Sequence, residues 1–204
     1  MLQRTVRQWT FAAAGPIEGC MKKLALSLVM AAATIGATIA VPASAALKKG
    51  AEAPLFTTSG ALAGKSFRFD LNEALKKGPV VLYFYPKAFT QGCTLEAHAF
   101  AEAMGDFRAA GAQVVGMSND DIETLKKFST EACRDEFPVA RATPGLIRAY
   151  DVALKREGVP TGLTDRTSYV IGTDGRIVMV HSDLDWREHV SKTLATVKAM
   201  KRKG

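Results

Sequence analysis

The chain has 204 residues, 48 % of them hydrophobic and 23 % charged, with a formal net charge of +7. That length is enough for one domain with a full core, and the composition excludes a disordered or fibrous chain. Aromatic residues are not interleaved with basic ones, so the charge does not describe a nucleic-acid surface.

In chain order, residues 1–20 read as an extension ahead of a start at Met21. From Met21 the sequence has the parts of an export signal. Lys22 and Lys23 are basic, Leu24 to Val41 is apolar, Pro42 breaks the run, and Ala43-Ser44-Ala45 supplies a small-x-small cleavage pattern. The alternative is a membrane anchor, because the apolar stretch approaches the length of a span. Its Ala- and Thr-rich composition and the cleavage pattern favour a removable signal over residues 21–45 and a periplasmic location. Cleavage would remove Cys20 with four basic and one acidic side chain, lowering the charge to +4 and leaving Cys93 and Cys133. The basic tail of Lys198, Lys201, Arg202 and Lys203 suits the end of a helix.

Residues 46–204 read as a single domain. Residues 53–70 are strand-like and turn-rich, and Leu71–Lys77 is a short helix stopped by Gly78-Pro79. Val80–Tyr85 is a continuous apolar run of β-formers, as in a buried central strand. A helix is predicted from Thr94 to about Ala110, a second buried strand over Gln113–Met117, and a helix capped by Asp120 with Glu123. Phe137–Ala140 is expected at a sheet edge, followed by a short helical piece around Leu146–Tyr150. Thr167–Ile171 and Arg176–Val180 form a hairpin around Thr173-Asp174-Gly175. Trp186, Val190, Leu194 and Val197 mark a last helix. This order is that of an α/β thioredoxin-like fold, a central mixed β-sheet flanked by helices, which does not by itself assign a chemistry.

The chemistry is expected where the central strand ends. There the chain reads Tyr85-Pro86-Lys87-Ala88-Phe89-Thr90-Gln91-Gly92-Cys93-Thr94, which puts Cys93 in the first turn of a helix. Unsatisfied N–H groups and the positive end of the dipole favour a thiolate there, and such settings lower thiol pKa values from about 8.5 into the range ~3.5–7.5. A shift to ~6 amounts to roughly 3.4 kcal/mol, whereas a helix terminus contributes at most ~2. A second donor is therefore required, and arginine is the suited side chain.

Pro86-x-x-x-Thr90-x-x-Cys93 resembles the signature of the peroxiredoxins of the AhpC/TSA superfamily. YFYPKAFTQGCT is similar to the form found in the PrxQ branch, also called bacterioferritin comigratory proteins. The likeness runs from about Ala51 to the last helix. It implies a thiol peroxidase without metal, haem or flavin cofactor, acting on hydrogen peroxide and organic hydroperoxides. Cys93 would be the peroxidatic residue, Pro86 its shield and Thr90 a hydroxyl partner. Arg166, ahead of the β-rich Thr167–Ile171, would be the second donor. The resemblance also implies a thioredoxin-like reductant and a monomer. Many members of the branch carry a second cysteine five residues after the first; here His98 stands in its place. Cys133 has two roles open to it, as a resolving cysteine or as a packed core residue on the apolar face of its helix.

Gly60–Ser66 is one residue short of a phosphate-binding loop and runs into strand-like sequence. His98, His181 and His189 lack metal-ligand spacing. Two rival readings remain, a thiol–disulfide oxidoreductase and a non-catalytic protein holding a soft metal through Cys93 and His98. The first is opposed by Glu96, which stands where a C-x-x-C motif needs its second sulfur.

Overall fold

A computed structural model describes residues 46–202 of the chain; the signal segment expected over 21–45 lies outside them. Strands β1 (Thr57–Leu62) and β2 (Lys65–Asp70) form a hairpin, and Asp70 caps the short helix α1 (Leu71–Leu75) through the Glu73 N–H. The apolar run becomes β3 (Val80–Phe84), every residue of it buried. Helix α2 (Gln91–Ala109), β4 (Gln113–Ser118) and α3 (Ile122–Glu131) follow. Next come β5 (Val139–Arg141), α4 (Pro144–Ala149) and a hairpin of β6 (Ala153–Arg156) with β7 (Val159–Thr164). The chain closes with β8 (Thr167–Ile171), β9 (Ile177–Ser182), a 3₁₀ turn at Trp186–Glu188 and α5 (His189–Lys201).

Seven strands make one mixed sheet in the order β2-β1-β5-β4-β3-β8-β9, while β6 and β7 pair apart from it. β3, β4 and β5 are parallel; β8 runs antiparallel to β3. The strand period of two divides β3 between two cores. Val81 and Tyr83, with Tyr85 just beyond the strand, pack with Phe100, Phe107, Leu125, Phe128 and Val197. Val80, Leu82 and Phe84 face the opposite way, toward Leu71, Leu75, Ile147 and Tyr150.

The thioredoxin-like order of elements is present, with four local corrections. β5 is not an edge strand, because it lies between β1 and β4; its antiparallel partner β1 is contributed from about 80 residues earlier in the chain, a pairing no local pattern reveals. The cap of α3 is Asp121, whose carboxylate accepts from the Thr124 N–H, so Asp120 is free for another task. The last helix starts at His189, with Trp186 in the preceding turn. The β6–β7 ribbon was not anticipated, since it is largely exposed and lacks an apolar alternation.

Candidate active site

The site forms at the carboxyl ends of β3 and β4, the usual place for function in such sheets. Tyr85 leaves β3, and the loop 86–90 leads into α2, which begins earlier than its periodicity indicates. Cys93 therefore lies within its first turn and is almost completely buried. Thr90 occupies the N-cap position, yet its side chain makes no capping bond. Its hydroxyl instead donates to the Lys87 carbonyl at 3.0 Å. The first N–H groups of the helix, that of Cys93 among them, thus receive no capping partner from Thr90.

The loop is held from two sides. Thr164 Oγ1 donates to the Tyr85 carbonyl at 2.5 Å, and Asp120 Oδ2 accepts from the Ala88 N–H and from Ser118 Oγ, both at 2.8 Å. Phe89 takes a positive φ of 63°, a costly conformation for a bulky residue and one concentrated where function constrains the chain. Asp120 was missed from sequence because its N-cap-like position offered a local explanation. Asp120→Ala is expected to slow oxidation of Cys93 by peroxide on the order of tenfold, about the net worth of one charge-assisted hydrogen bond. Stopped-flow fluorescence would measure it, and an unchanged rate would remove Asp120 from the positioning machinery.

Arg166 reaches the sulfur because of strand register. β8 pairs with β3 so that Thr167 lies opposite Phe84; the residue before β8 consequently sits beside the residue after β3. Arg166 is 5 % exposed. Its Nη2 donates to Cys93 Sγ at 3.5 Å and its Nε to the Leu184 carbonyl at 2.8 Å. Nη1 donates to Glu96 Oε2 in a close buried contact. Burial raises the Glu96 carboxyl to about 8, against the opposing pull of the guanidinium.

Behind Glu96 stands His189, also fully buried. Its Nε2 lies 2.9 Å from the Asp183 carbonyl, which can only accept, and its Nδ1 lies 2.8 Å from Ser168 Oγ. Burial lowers His189 to about 4, so the neutral ring carries its proton on Nε2 and presents Nδ1 as an acceptor. Sequence reading gave neither residue a role in the site. The available signal was that Glu96 falls three residues after Cys93 and four before Phe100, on the buried stripe of α2.

Of the residues expected at the site, Cys93 and Arg166 are in contact. Thr90 is exposed on the same loop and Pro86 is half-buried next to Tyr85. Cys133 follows the end of α3, is wholly buried, and is not bonded to Cys93; both thiols are free. Burial pushes the Cys133 thiol well above its usual range. His98 is only half-buried, and among the described residues no three metal-ligating side chains converge.

A thioredoxin-type sheet presenting one buried sulfur to a guanidinium is the arrangement expected of a thiol-dependent oxidoreductase. The family model described as AhpC/TSA family matches residues 49–180, and the chain belongs to that family. It is 30 % identical over 176 residues to the chloroplastic peroxiredoxin Q of Populus jackii, covering 80 % of this chain and 78 % of the relative. The solved structure of peroxidoxin BcpB from Mycobacterium tuberculosis superposes with a TM-score of 0.67 at 31 % identity, covering 76 % of this chain and 98 % of that one. The bacterioferritin comigratory protein of Xanthomonas campestris, described for its alkyl peroxide reduction activity, gives 0.61 at 27 % identity, with 70 % and 91 % covered. The resemblance to the PrxQ branch is thereby upheld, and the activity is that of a thiol peroxidase supplied by a thioredoxin-like reductant.

Proposed function

We propose that Cys93 is the peroxidatic nucleophile, that Arg166, Thr90 and Pro86 serve it, and that the enzyme reduces hydrogen peroxide and organic hydroperoxides outside the cytoplasm. The observation that supports the reading best is the 3.5 Å contact between Cys93 Sγ and Arg166 Nη2 in a buried pocket. The thiolate is the reactive form of cysteine. It attacks one peroxide oxygen, the O–O bond breaks, sulfur is oxidised to a sulfenic acid, and the other oxygen leaves as alkoxide or hydroxide and takes up a proton. Arg166 would stabilise the charge moving from sulfur to the leaving oxygen, in the manner of an oxyanion hole. With its proton committed to Lys87, the Thr90 hydroxyl keeps lone pairs to accept the peroxide O–H. Pro86 would shield the sulfur from water.

For regeneration, the buried and protonated state of Cys133 supports a cycle in which an external thiol attacks the sulfenic acid. Treating the reduced protein with one equivalent of peroxide and mapping its peptides without reductant tests both parts. Cys93 should be consumed far faster than free cysteine and should carry the sulfenic acid or its adduct alone. A Cys93–Cys133 peptide would establish a two-cysteine cycle instead, and an unreactive Cys93 would defeat the assignment. Export rests on the Met21–Ala45 pattern; a mature amino terminus at Ala46 in the periplasmic fraction is the expected result, and full-length protein in the cytoplasm would refute it.

A further inference from the structure

Two acids share one guanidinium. Nη2 of Arg166 addresses Cys93 and Nη1 addresses Glu96, while Nε is spent on the Leu184 carbonyl. Glu96 is 0 % exposed, and its second oxygen, Oε1, has no hydrogen-bond partner among the described residues. His189 Nδ1 lies 3.8 Å from that oxygen. Nδ1 is the acceptor side of the ring, because Nε2 donates to Asp183. The Nδ1 lone pair accepts from Ser168 Oγ and is spent, so an ionised Oε1 would hold its charge in a dry pocket with no donor to meet it, a larger cost than leaving a neutral carboxyl oxygen unpaired. The geometry favours a neutral Glu96 whenever sulfur supplies the anion that Arg166 needs.

We propose that Arg166 carries essentially one anion at a time, so that Glu96 holds a proton while Cys93 is a thiolate and gives it up when the sulfur becomes neutral. In the peroxidase step, on which the direction of this exchange rests, the balance is complete. Thiolate, hydroperoxide and Glu96 carboxylic acid become sulfenic acid, alcohol and Glu96 carboxylate. Sulfur loses two electrons to the O–O bond, and the leaving alkoxide takes up one proton for the one that Glu96 releases. Glu96 acts through Arg166 and is a positioning residue. The charged and titratable groups facing it are Cys93 on α2, Arg166 ahead of β8, His189 on α5 and the Tyr83 hydroxyl of β3. Beyond them His181 of β9 packs its ring against that of His189, with centroids 4.5 Å apart.

The test is a pH titration of the protonated-carboxyl stretching band by infrared difference spectroscopy on the reduced protein. Glu96→Gln, which keeps an oxygen for Arg166, identifies the band by its loss. In Cys93→Ser, where the sulfur anion is gone, the titration midpoint should fall by about one pH unit or more, a tenfold loss of proton affinity. An unchanged midpoint, or no band assignable to Glu96 in reduced wild type, would overturn the proposal. Because neither arm uses peroxide, failure of the peroxidase assignment would show separately, as Cys93 left unoxidised in the peptide map.

Discussion

Replacing Arg166 with methionine should lower the second-order rate of Cys93 oxidation by about 10²–10³-fold, the cost of removing one preorganised donor from a developing oxyanion. Methionine fills similar space but supplies none of the three donors that the guanidinium aims at Cys93, Glu96 and Leu184. Lysine should not restore the rate, because a point charge on a flexible stem cannot address three acceptors in a plane. The variant is also expected to be less stable by a few kcal/mol, since breaking a buried pair costs about 3–5 kcal/mol when one partner is left behind. Stopped-flow oxidation and thermal melting together report both effects. A variant that reacts with peroxide as fast as wild type would remove Arg166 from the mechanism.

Stability should fall on the alkaline side of neutrality, and the cause should be Glu96. Its carboxyl is raised by burial from 4.5 to about 8, so the folded protein holds the proton more tightly than the unfolded chain. That contribution is complete below pH 4.5 and is lost as pH rises to 8. His189 works in the opposite sense. Lowered by burial from 6.5 to about 4, its contribution is complete above pH 6.5 and is lost as pH falls to 4. Between pH 4.5 and 6.5 the two slopes oppose and nearly cancel. From pH 6.5 to 8 the Glu96 contribution should cost roughly 2 kcal/mol, at about 1.36 kcal/mol per unit, read as the difference between wild type and Glu96→Gln so that every other titrating group cancels. Urea denaturation across this range should show the decline in wild type and not in Glu96→Gln. Parallel curves for the two proteins would sink the expectation.

Much of the molecule can be read from local patterns. The apolar run at Val80–Tyr85, the helical stripe through Phe100, Met104 and Phe107, and the turn at Thr173–Gly175 each carry their own period or turn chemistry, and each becomes the expected element. Position along the chain also singled out Cys93, since a cysteine between a buried strand and a helix has few structural reasons to be there. The guanidinium was assigned to Arg166 by resemblance, and register then accounts for its reach.

Pairings across long stretches of chain were not legible. Glu96 meets Arg166 from 70 residues away, and His189 meets Ser168 from the far side of a hairpin; read locally, one is a helix charge and the other a core histidine. Asp120 had a local role to play as a cap, and tertiary structure gave that role to its neighbour and spent Asp120 on the loop. The physical reason is common to all of these. Periodicity and capping depend on residues within a turn or two, so sequence alone determined most of the elements and singled out Cys93. Which charges share a guanidinium, and which nitrogen of a buried ring faces a carboxyl, depend on strand register and on exclusion of water, and only the packed fold decided them.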